Sequence, residues 1–208
     1  EITLATEITL KPQWHVYWIN PGDSGIPVSI TWNAPQGVSI SEIEWPVPDK
    51  ISYEVLMNYG YYDRTVLLQK LKLPDVLPEG KIEISGKVSM LVCHEICIPE
   101  TSDVTLVLND PATPPQDNSA AIQDAKEKMP QPIKGGFAFG DLEKEIQMSL
   151  TLDDIGVLGG AAAEKIEFFP QELGILNHLA KPAVEIDGNR ILIRHARGDQ
   201  PTDKLTEL

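Results

Sequence analysis

The chain contains 208 residues, and its 31 acidic and 17 basic side chains give a formal net charge of −14 at pH 7. This balance argues against a nucleic-acid partner, because phosphate groups are bound by lysine and arginine side chains. No apolar run reaches the length of about 18 residues that a membrane-spanning helix needs.

Short β-rich runs separated by turn residues fill the first half of the chain. Proline and glycine mark a loop at 20–25, and Trp45-Pro-Val-Pro48 cannot be a central strand because proline lacks the N–H that a ladder requires. The predicted strands are 2–10, 28–32, 39–43, 65–73, 81–92 and 101–108. Such spacing of short strands is typical of a β-sandwich.

A proline-rich stretch at 109–118 predicts a linker between two β regions. A short helix is predicted at 120–128, capped by Ser119 and ended by Pro130. The predicted domains are a first β-sandwich over 1–112, a linker with the helix over 113–130, and a second β-sandwich over 131–208. Strands of the second domain are predicted at 146–152, 163–169, 181–186 and 190–195, with a hairpin turn at 187–189.

Cys93 and Cys97 are the only cysteines in the chain, and three residues separate them. One thiolate of such a pair can attack a disulfide while the second thiol resolves the mixed disulfide. A disulfide that closes so short a loop stabilises the fold little, because it removes little freedom from the unfolded chain. Redox exchange is therefore the favoured interpretation, and an inert structural disulfide and a metal site are the alternatives.

Two polar side chains lie between the thiols. A cationic His94 would lower the pKa of a neighbouring thiol and an ionised Glu95 would raise it, or both side chains simply face water. Met90, Cys93, His94 and Cys97 also form a soft sulfur and nitrogen set of the kind that selects Cu(I). We expect no cofactor beyond the redox disulfide, with a copper site as the alternative.

An aromatic segment with a central glycine, formed by Asn58, Tyr59, Gly60 and Tyr61, is the other candidate feature. A hinged aromatic loop of this kind could cover a reactive disulfide and exclude unsuitable partners. The alternative is that these side chains pack in the sandwich core.

Several short motifs together resemble one family. They are Trp14-His-Val-Tyr-Trp18, Asn20-Pro-Gly-Asp-Ser-Gly25, Trp45-Pro46, Asn58-Tyr-Gly-Tyr61 and Leu91-Val-Cys-His-Glu-Ile-Cys-Ile-Pro-Glu100. This set resembles the N-terminal periplasmic region of the DsbD-like thiol:disulfide interchange proteins. It is more similar to the branch called suppressor of copper sensitivity protein B (ScsB).

The resemblance implies an immunoglobulin-like β-sandwich with the cysteine pair in an inserted active-site hairpin. It implies a protein-disulfide reductase in which Cys97 forms the mixed disulfide, Cys93 resolves it, and residues 58–61 form a cap loop. Electrons would pass from a membrane-embedded redox domain of the same polypeptide to thioredoxin-like periplasmic proteins.

By the same resemblance, this chain is expected to be the soluble periplasmic part of a larger inner-membrane protein. It departs from the better-known DsbD pattern in two respects. Three residues, rather than a longer insert, separate the cysteines, and Met57-Asn58 replaces the acidic residues expected beside the cap.

Overall fold

A computed structural model describes residues 1–76, 80–108, 118–158, 160 and 162–198. Residues 109–117 of the predicted proline-rich linker at 109–118, and the last part of the predicted second domain at 199–208, lie outside the described residues. The described chain is built mainly of β-strands with one short α-helix, which confirms the predicted all-β class. No helix among the described residues is long and apolar enough to cross a membrane.

The strands of the first part are β1 (Ile2–Thr9), β2 (His15–Gly22), β3 (Ser29–Asn33), β4 (Ser39–Ile40), β5 (Asp49–Tyr53), β6 (Leu56–Tyr62), β7 (Arg64–Lys72), β8 (Ile82–Cys93) and β9 (Cys97–Leu108). After them come α1 (Ser119–Glu127), β10 (Gly135–Asp141), β11 (Glu145–Leu152), β12 (Ala183–Asp187) and β13 (Arg190–Ala196).

The chain divides into two compact units. The first holds Glu1–Ile19, Gly25–Asp49 and Tyr59–Pro130, and the second holds Asn20–Ser24, Lys50–Asn58 and Gln131–Leu208. The helix α1 therefore belongs to the first unit, where its Ala125 packs in a buried cluster with Val66 and Leu68 of β7. The predicted boundaries at 112 and 131 stay a prediction.

Two antiparallel sheets form the β-sandwich of the first part of the chain. One has the strand order β1-β7-β4, and the other has the order β3-β8-β2-β6-β5 with β9 paired to β8. Leu71 of β7 packs with Ile82 and Ile84 of β8, and Trp32 and Leu106 pack against this cluster. The cluster joins the two sheets because it takes apolar side chains from the facing side of each.

The longest hairpin of the fold positions the cysteines. Strands β8 and β9 pair in continuous register from Ile82 opposite Leu108 to Cys93 opposite Cys97. The alternation of Ile82, Ile84 and later apolar residues with polar ones explains the strand, because one face packs on the core. The predicted hairpin between these strands is confirmed.

A four-stranded antiparallel sheet of order β10-β11-β13-β12 forms the centre of the second unit. Its core contains Ile146 and Met148 of β11, Ile191 and Ile193 of β13, and Leu176. The predicted turn at 187–189 is confirmed, since Asp187 pairs with Arg190 across it.

Some local predictions are wrong. The strand expected at 163–169 is a short 3-10 helix, Ala163–Lys165, followed by irregular chain. Ile166 and Phe168 nevertheless pack against the core of the second unit, which explains the apolar pattern without a strand. Ser119 is the first helical residue rather than the cap, and the cap residue Asn118 makes no side-chain capping bond.

Candidate redox site at the Cys93–Cys97 disulfide

The two cysteines form a disulfide at the end of the β8–β9 hairpin. Cys93 ends β8 and Cys97 begins β9, and their Cα atoms lie 4.1 Å apart. The N–H of His94 donates to the carbonyl of Ile96 at 3.1 Å and closes the turn between them. Because the cysteines are directly opposite in an antiparallel pair, their side chains lie on the same face and can bond.

The two sulfur-bearing residues differ strongly in exposure. Cys93 is only 2% exposed, whereas Cys97 is exposed. Strand position explains the difference, because Cys93 lies between β9 and β2, opposite His15, while Cys97 begins the outer strand β9. Cys97 is therefore the member of the pair on the solvent side of the hairpin.

Tyr17 provides the closest polar contact to the disulfide. Its hydroxyl donates to the Cys93 Sγ at 3.1 Å and lies 3.9 Å from the Cys97 Sγ. Burial raises the pKa of the Tyr17 hydroxyl, so it remains protonated and able to donate. A glycine at position 25 is needed for this placement, because a Cβ there would overlap the Tyr17 ring. In the reduced protein the same hydroxyl can stabilise a Cys93 thiolate.

A buried histidine lies beside this pair. The imidazole of His15 is 6% exposed and makes edge contacts with the rings of Tyr17 and Tyr62, at centroid distances of 5.2 and 5.6 Å. Burial, and to a smaller extent the charge of His94, lower the pKa of His15. The imidazole is therefore neutral at pH 7, and Cys93 has a neutral ring rather than a cation as its cross-strand neighbour.

The side chains between the cysteines occupy different environments. The half-buried His94 stacks on Trp14 with a centroid distance of 6.0 Å, and its Nε2 lies 3.3 Å from the Oε1 of Gln13. Glu95 is exposed and lies at the tip of the turn. The structure thus gives His94 a fixed neighbour, and the roles of both residues as modulators of the thiols stay a prediction.

Sequence comparison assigns the family. Residues 1–109 match the family model described as Thiol:disulfide interchange protein DsbD, N-terminal. The chain belongs to this family. The Cys93–Cys97 pair of this DsbD N-terminal family member is thus the redox disulfide of a thiol–disulfide interchange domain.

A solved structure has a similar fold. The N-terminal periplasmic domain of ScsB from Proteus mirabilis matches with a TM-score of 0.64 and 21% sequence identity, over 95% of this chain and 74% of that chain. A search of curated proteins returned no match. The resemblance predicted from the sequence motifs is therefore confirmed by the family model and by the fold.

The segment predicted to be the cap loop of this DsbD N-terminal family member is part of a strand. Asn58–Tyr61 lies within β6, and its side chains are buried. The Tyr61 hydroxyl donates to the carbonyl of Pro46 at 2.8 Å, and the Tyr59 ring makes an edge contact with Trp18. The expected loop is therefore wrong as local structure, because these side chains have partners in the interior. A shielding role for them stays a prediction.

The four residues of the alternative copper site do not all lie on one side of the hairpin. Met90 and Cys93 are three residues apart in β8, so their side chains point to opposite faces of the strand. Among the described residues, no group of three or more His, Cys, Asp or Glu side chains could hold a metal ion. A soft ligand set from this loop would consist of Cys93, His94 and Cys97 after reduction of the disulfide.

The residue pair His15 and Tyr17 is the part of the site that sequence reasoning missed. The two positions are two apart in β2, so their side chains share a face. The spacing of two residues between the histidine and the tyrosine is visible in the Trp14-His-Val-Tyr-Trp18 motif. The missing information was the pairing of β2 with the cysteine end of β8, which a sequence alone does not provide.

Proposed function

We propose that this domain reduces disulfides in partner proteins with electrons that it receives from a membrane-embedded redox domain of the same polypeptide. The observation that carries the proposal is the asymmetry of the pair, with Cys97 exposed and Cys93 2% exposed. A purely structural disulfide would not require one exposed cysteine, one buried cysteine and a hydroxyl group that donates to the buried sulfur.

The exchange begins with the reduced pair. The Cys97 thiolate attacks one sulfur of the partner's disulfide, a bond forms between Cys97 and that sulfur, and the partner's other sulfur leaves as a thiolate. The Cys93 thiolate then attacks the Cys97 sulfur and releases the partner's second thiolate. The two released thiolates take up two protons, so the partner gains two electrons and two protons while Cys93 and Cys97 become the disulfide.

The buried groups around Cys93 support the second step. The Tyr17 hydroxyl can donate to the Cys93 thiolate, and the neutral His15 leaves that thiolate without a permanent counter-charge. The hydrogen bond stabilises the thiolate enough for it to form. Without a counter-charge the thiol pKa is not lowered further, and the thiolate remains a good nucleophile, since nucleophilicity falls as the thiol pKa falls. Resolution by Cys93 is then favoured over a long-lived mixed disulfide.

The partners proposed are thioredoxin-like proteins of the periplasm, with the domain tethered to the inner membrane in the full protein. Support comes from the DsbD N-terminal family and from the fold shared with a periplasmic domain of ScsB. The acidic surface, with a net charge of −14, is compatible with protein partners and not with nucleic acid.

Trapping with single-cysteine variants tests the proposal. Cys93→Ser should accumulate a mixed disulfide with a thioredoxin-fold protein that carries an oxidised Cys-x-x-Cys pair, because the resolving thiol is missing. Cys97→Ser should form no such adduct, and it is the matched control because it also retains one thiol. The proposal fails if both variants reduce the partner as fast as the native pair does.

A further inference from the structure

Cys97 lies on an open edge of its sheet. It begins β9, which pairs, among the described strands, with β8 alone. Every residue from Cys97 to Asp103 is exposed. A strand edge of this kind presents unpaired N–H and C=O groups to solvent, and another chain can pair with them. The exposed cysteine is thus part of a backbone edge that can accept a further strand.

The pairing of β9 with β8 shows which backbone groups of Cys97 point outward. The N–H of His94 donates to the carbonyl of Ile96, immediately beyond the pair Cys93 and Cys97. This bond marks the cysteine pair itself as a non-hydrogen-bonded pair. The Cα separation of 4.1 Å agrees, since such pairs have Cα atoms about 4.5 Å apart. The N–H and C=O groups of Cys97 therefore point away from β8, to the open edge.

The same alternation assigns the edge groups further along β9. Pairs of the two types alternate in an antiparallel ladder, so Pro99 and Thr101 belong to the same class as Cys97. Proline has no N–H, and a sheet tolerates it where that group would face solvent, so Pro99 agrees with this assignment. Beside the exposed cysteine the edge offers the C=O groups of all three residues and the N–H groups of Cys97 and Thr101.

A strand added at this edge would bring one of its side chains to the sulfur atom of Cys97. Residues directly opposite each other in an antiparallel pair have their side chains on the same face. The residue opposite Cys97 would belong to a hydrogen-bonded pair, with Cα atoms about 5.5 Å apart, within the roughly 4.4–6.8 Å that a disulfide spans. A cysteine at that position therefore lies next to Cys97 and on the face of its sulfur.

We propose that the outer edge of β9 binds an extended segment of the partner protein as an antiparallel strand, with the partner's reactive cysteine opposite Cys97. The proposal rests on the proposed function, because a disulfide partner supplies the cysteine. The residues that precede this cysteine then lie along Ile98 to Thr101. The residues that follow it extend past the start of β9 and are free to form a helix, and a helix N-terminus is a common position of a reactive cysteine.

A partner segment suits this edge better than a second copy of the chain does. Two β9 strands paired with each other would contain Pro99 twice and lose a donor at each, whereas a partner segment meets it once. Each copy also carries a net charge of −14, which opposes self-association. The edge therefore favours a different protein over an identical one.

Chromogenic probes test the proposal on the reduced full chain. Each is a mixed disulfide with 5-thio-2-nitrobenzoate, either of N-acetylcysteine amide or of the acetylated peptide amide Thr-Lys-Thr-Val-Cys. The Cys97 thiolate attacks the cysteine sulfur and releases the coloured thiolate. The Cys93 thiolate then attacks the Cys97 sulfur and releases the cysteine or peptide thiolate, which takes up a proton. The peptide probe should react about tenfold faster, the effect of one or two added backbone hydrogen bonds.

N-methylated peptides test the register without a change in the protein. The threonine two residues before the cysteine lies opposite Pro99, and its N–H donates to the Pro99 carbonyl in the proposed complex. The N–H of the valine next to the cysteine points away from β9. N-methylation of this threonine should remove the advantage of the peptide, because a methyl group replaces the donated proton. N-methylation of the valine is the matched control and should leave the advantage unchanged.

Proline substitutions test whether β9 is the strand that binds the peptide. Thr101→Pro removes an outward N–H that the five-residue peptide reaches. Thr105→Pro removes an equivalent N–H four residues further along, beyond the end of the bound peptide. Both substitutions remove only a solvent-facing donor, at positions equivalent to Pro99. The advantage of the peptide should fall in Thr101→Pro and persist in Thr105→Pro.

The outcomes separate this proposal from the redox function. Reaction of the small probe at the native rate in both variants shows that the fold and the redox pair are intact. If Thr101→Pro slows the small probe as well, the N-methylated peptides on the native chain decide. A peptide advantage that is absent, or that survives N-methylation of the threonine, overturns the edge proposal and leaves the redox function standing. Reaction with neither probe overturns both. A dimer in sedimentation that Thr101→Pro dissociates would assign the edge to a second copy instead.

Discussion

Replacing Tyr17 with phenylalanine removes the hydroxyl that donates to Cys93 and keeps the ring that packs against His15 and Gly25. A hydrogen bond to a charged group contributes about 1.5–3 kcal/mol. At about 1.36 kcal/mol per pKa unit, its loss should raise the pKa of the reduced Cys93 thiol by roughly one to two units.

The consequence for rate follows from two opposing effects. A rise of one unit lowers the thiolate fraction about tenfold below the pKa, but the more basic thiolate is about threefold more nucleophilic because the Brønsted coefficient is about 0.4–0.5. Resolution of the mixed disulfide by Cys93 should therefore slow by about threefold for one unit and about tenfold for two at pH 7.

Rapid acid quenching of the mixed disulfide over a range of pH measures this effect. The lifetime of the adduct should lengthen in Tyr17→Phe, and the midpoint of its pH dependence should move to higher pH. Tyr62→Phe is the matched control, since the Tyr62 ring also contacts His15 and its hydroxyl makes no hydrogen bond to either sulfur atom. Unchanged lifetime and midpoint in Tyr17→Phe would refute the assigned role of the hydroxyl.

Two further predictions concern the histidine and the copper alternative. Burial lowers the pKa of His15 below the ordinary value of 6.5. Below pH 6.5 the unfolded chain therefore binds more protons at this residue than the folded chain does. The contribution of His15 to the free energy of unfolding thus falls as the pH drops from 6.5 towards the pKa in the folded protein. Urea unfolding should show a smaller loss between pH 7.5 and 5 in His15→Gln than in the native chain, and an equal loss would contradict this. If reduced protein binds Cu(I), Met90→Leu should leave the affinity unchanged in a competition titration, because Met90 lies on the opposite face of β8 from Cys93; a loss of tenfold or more would place Met90 in the site.

The elements around the cysteines could be predicted because their information is local. Alternation of apolar and polar residues marks β8 from Ile82 to Met90 and places Val104, Leu106 and Leu108 of β9 on one face, whereas the residues next to Cys93 and Cys97 do not alternate. The two strands and the position of the pair between them therefore follow from periodicity. The unequal exposure of the two cysteines does not, because it depends on β2 lying beside β8 and not beside β9.

The aromatic segment Asn58–Tyr61 shows why other elements of the fold could not be predicted from the sequence. Asn58 and Gly60 are typical of turns, yet both lie in β6. The interior tolerates this because distant groups satisfy the polar atoms, since the Asn58 Oδ1 accepts from the N–H and hydroxyl of Ser24 and the Tyr61 hydroxyl donates to Pro46. These partners are remote in sequence, so local preference favoured a loop where long-range contacts produce a strand.

The reduction potential of the Cys93–Cys97 pair tests the central claim most directly. Equilibration of the full chain with glutathione or dithiothreitol buffers, followed by thiol alkylation, gives the potential from the ratio of the two forms. A redox-active interchange pair predicts a potential above about −300 mV, within reach of dithiol carriers. A potential well below about −300 mV would mark an inert structural disulfide and would contradict the assignment.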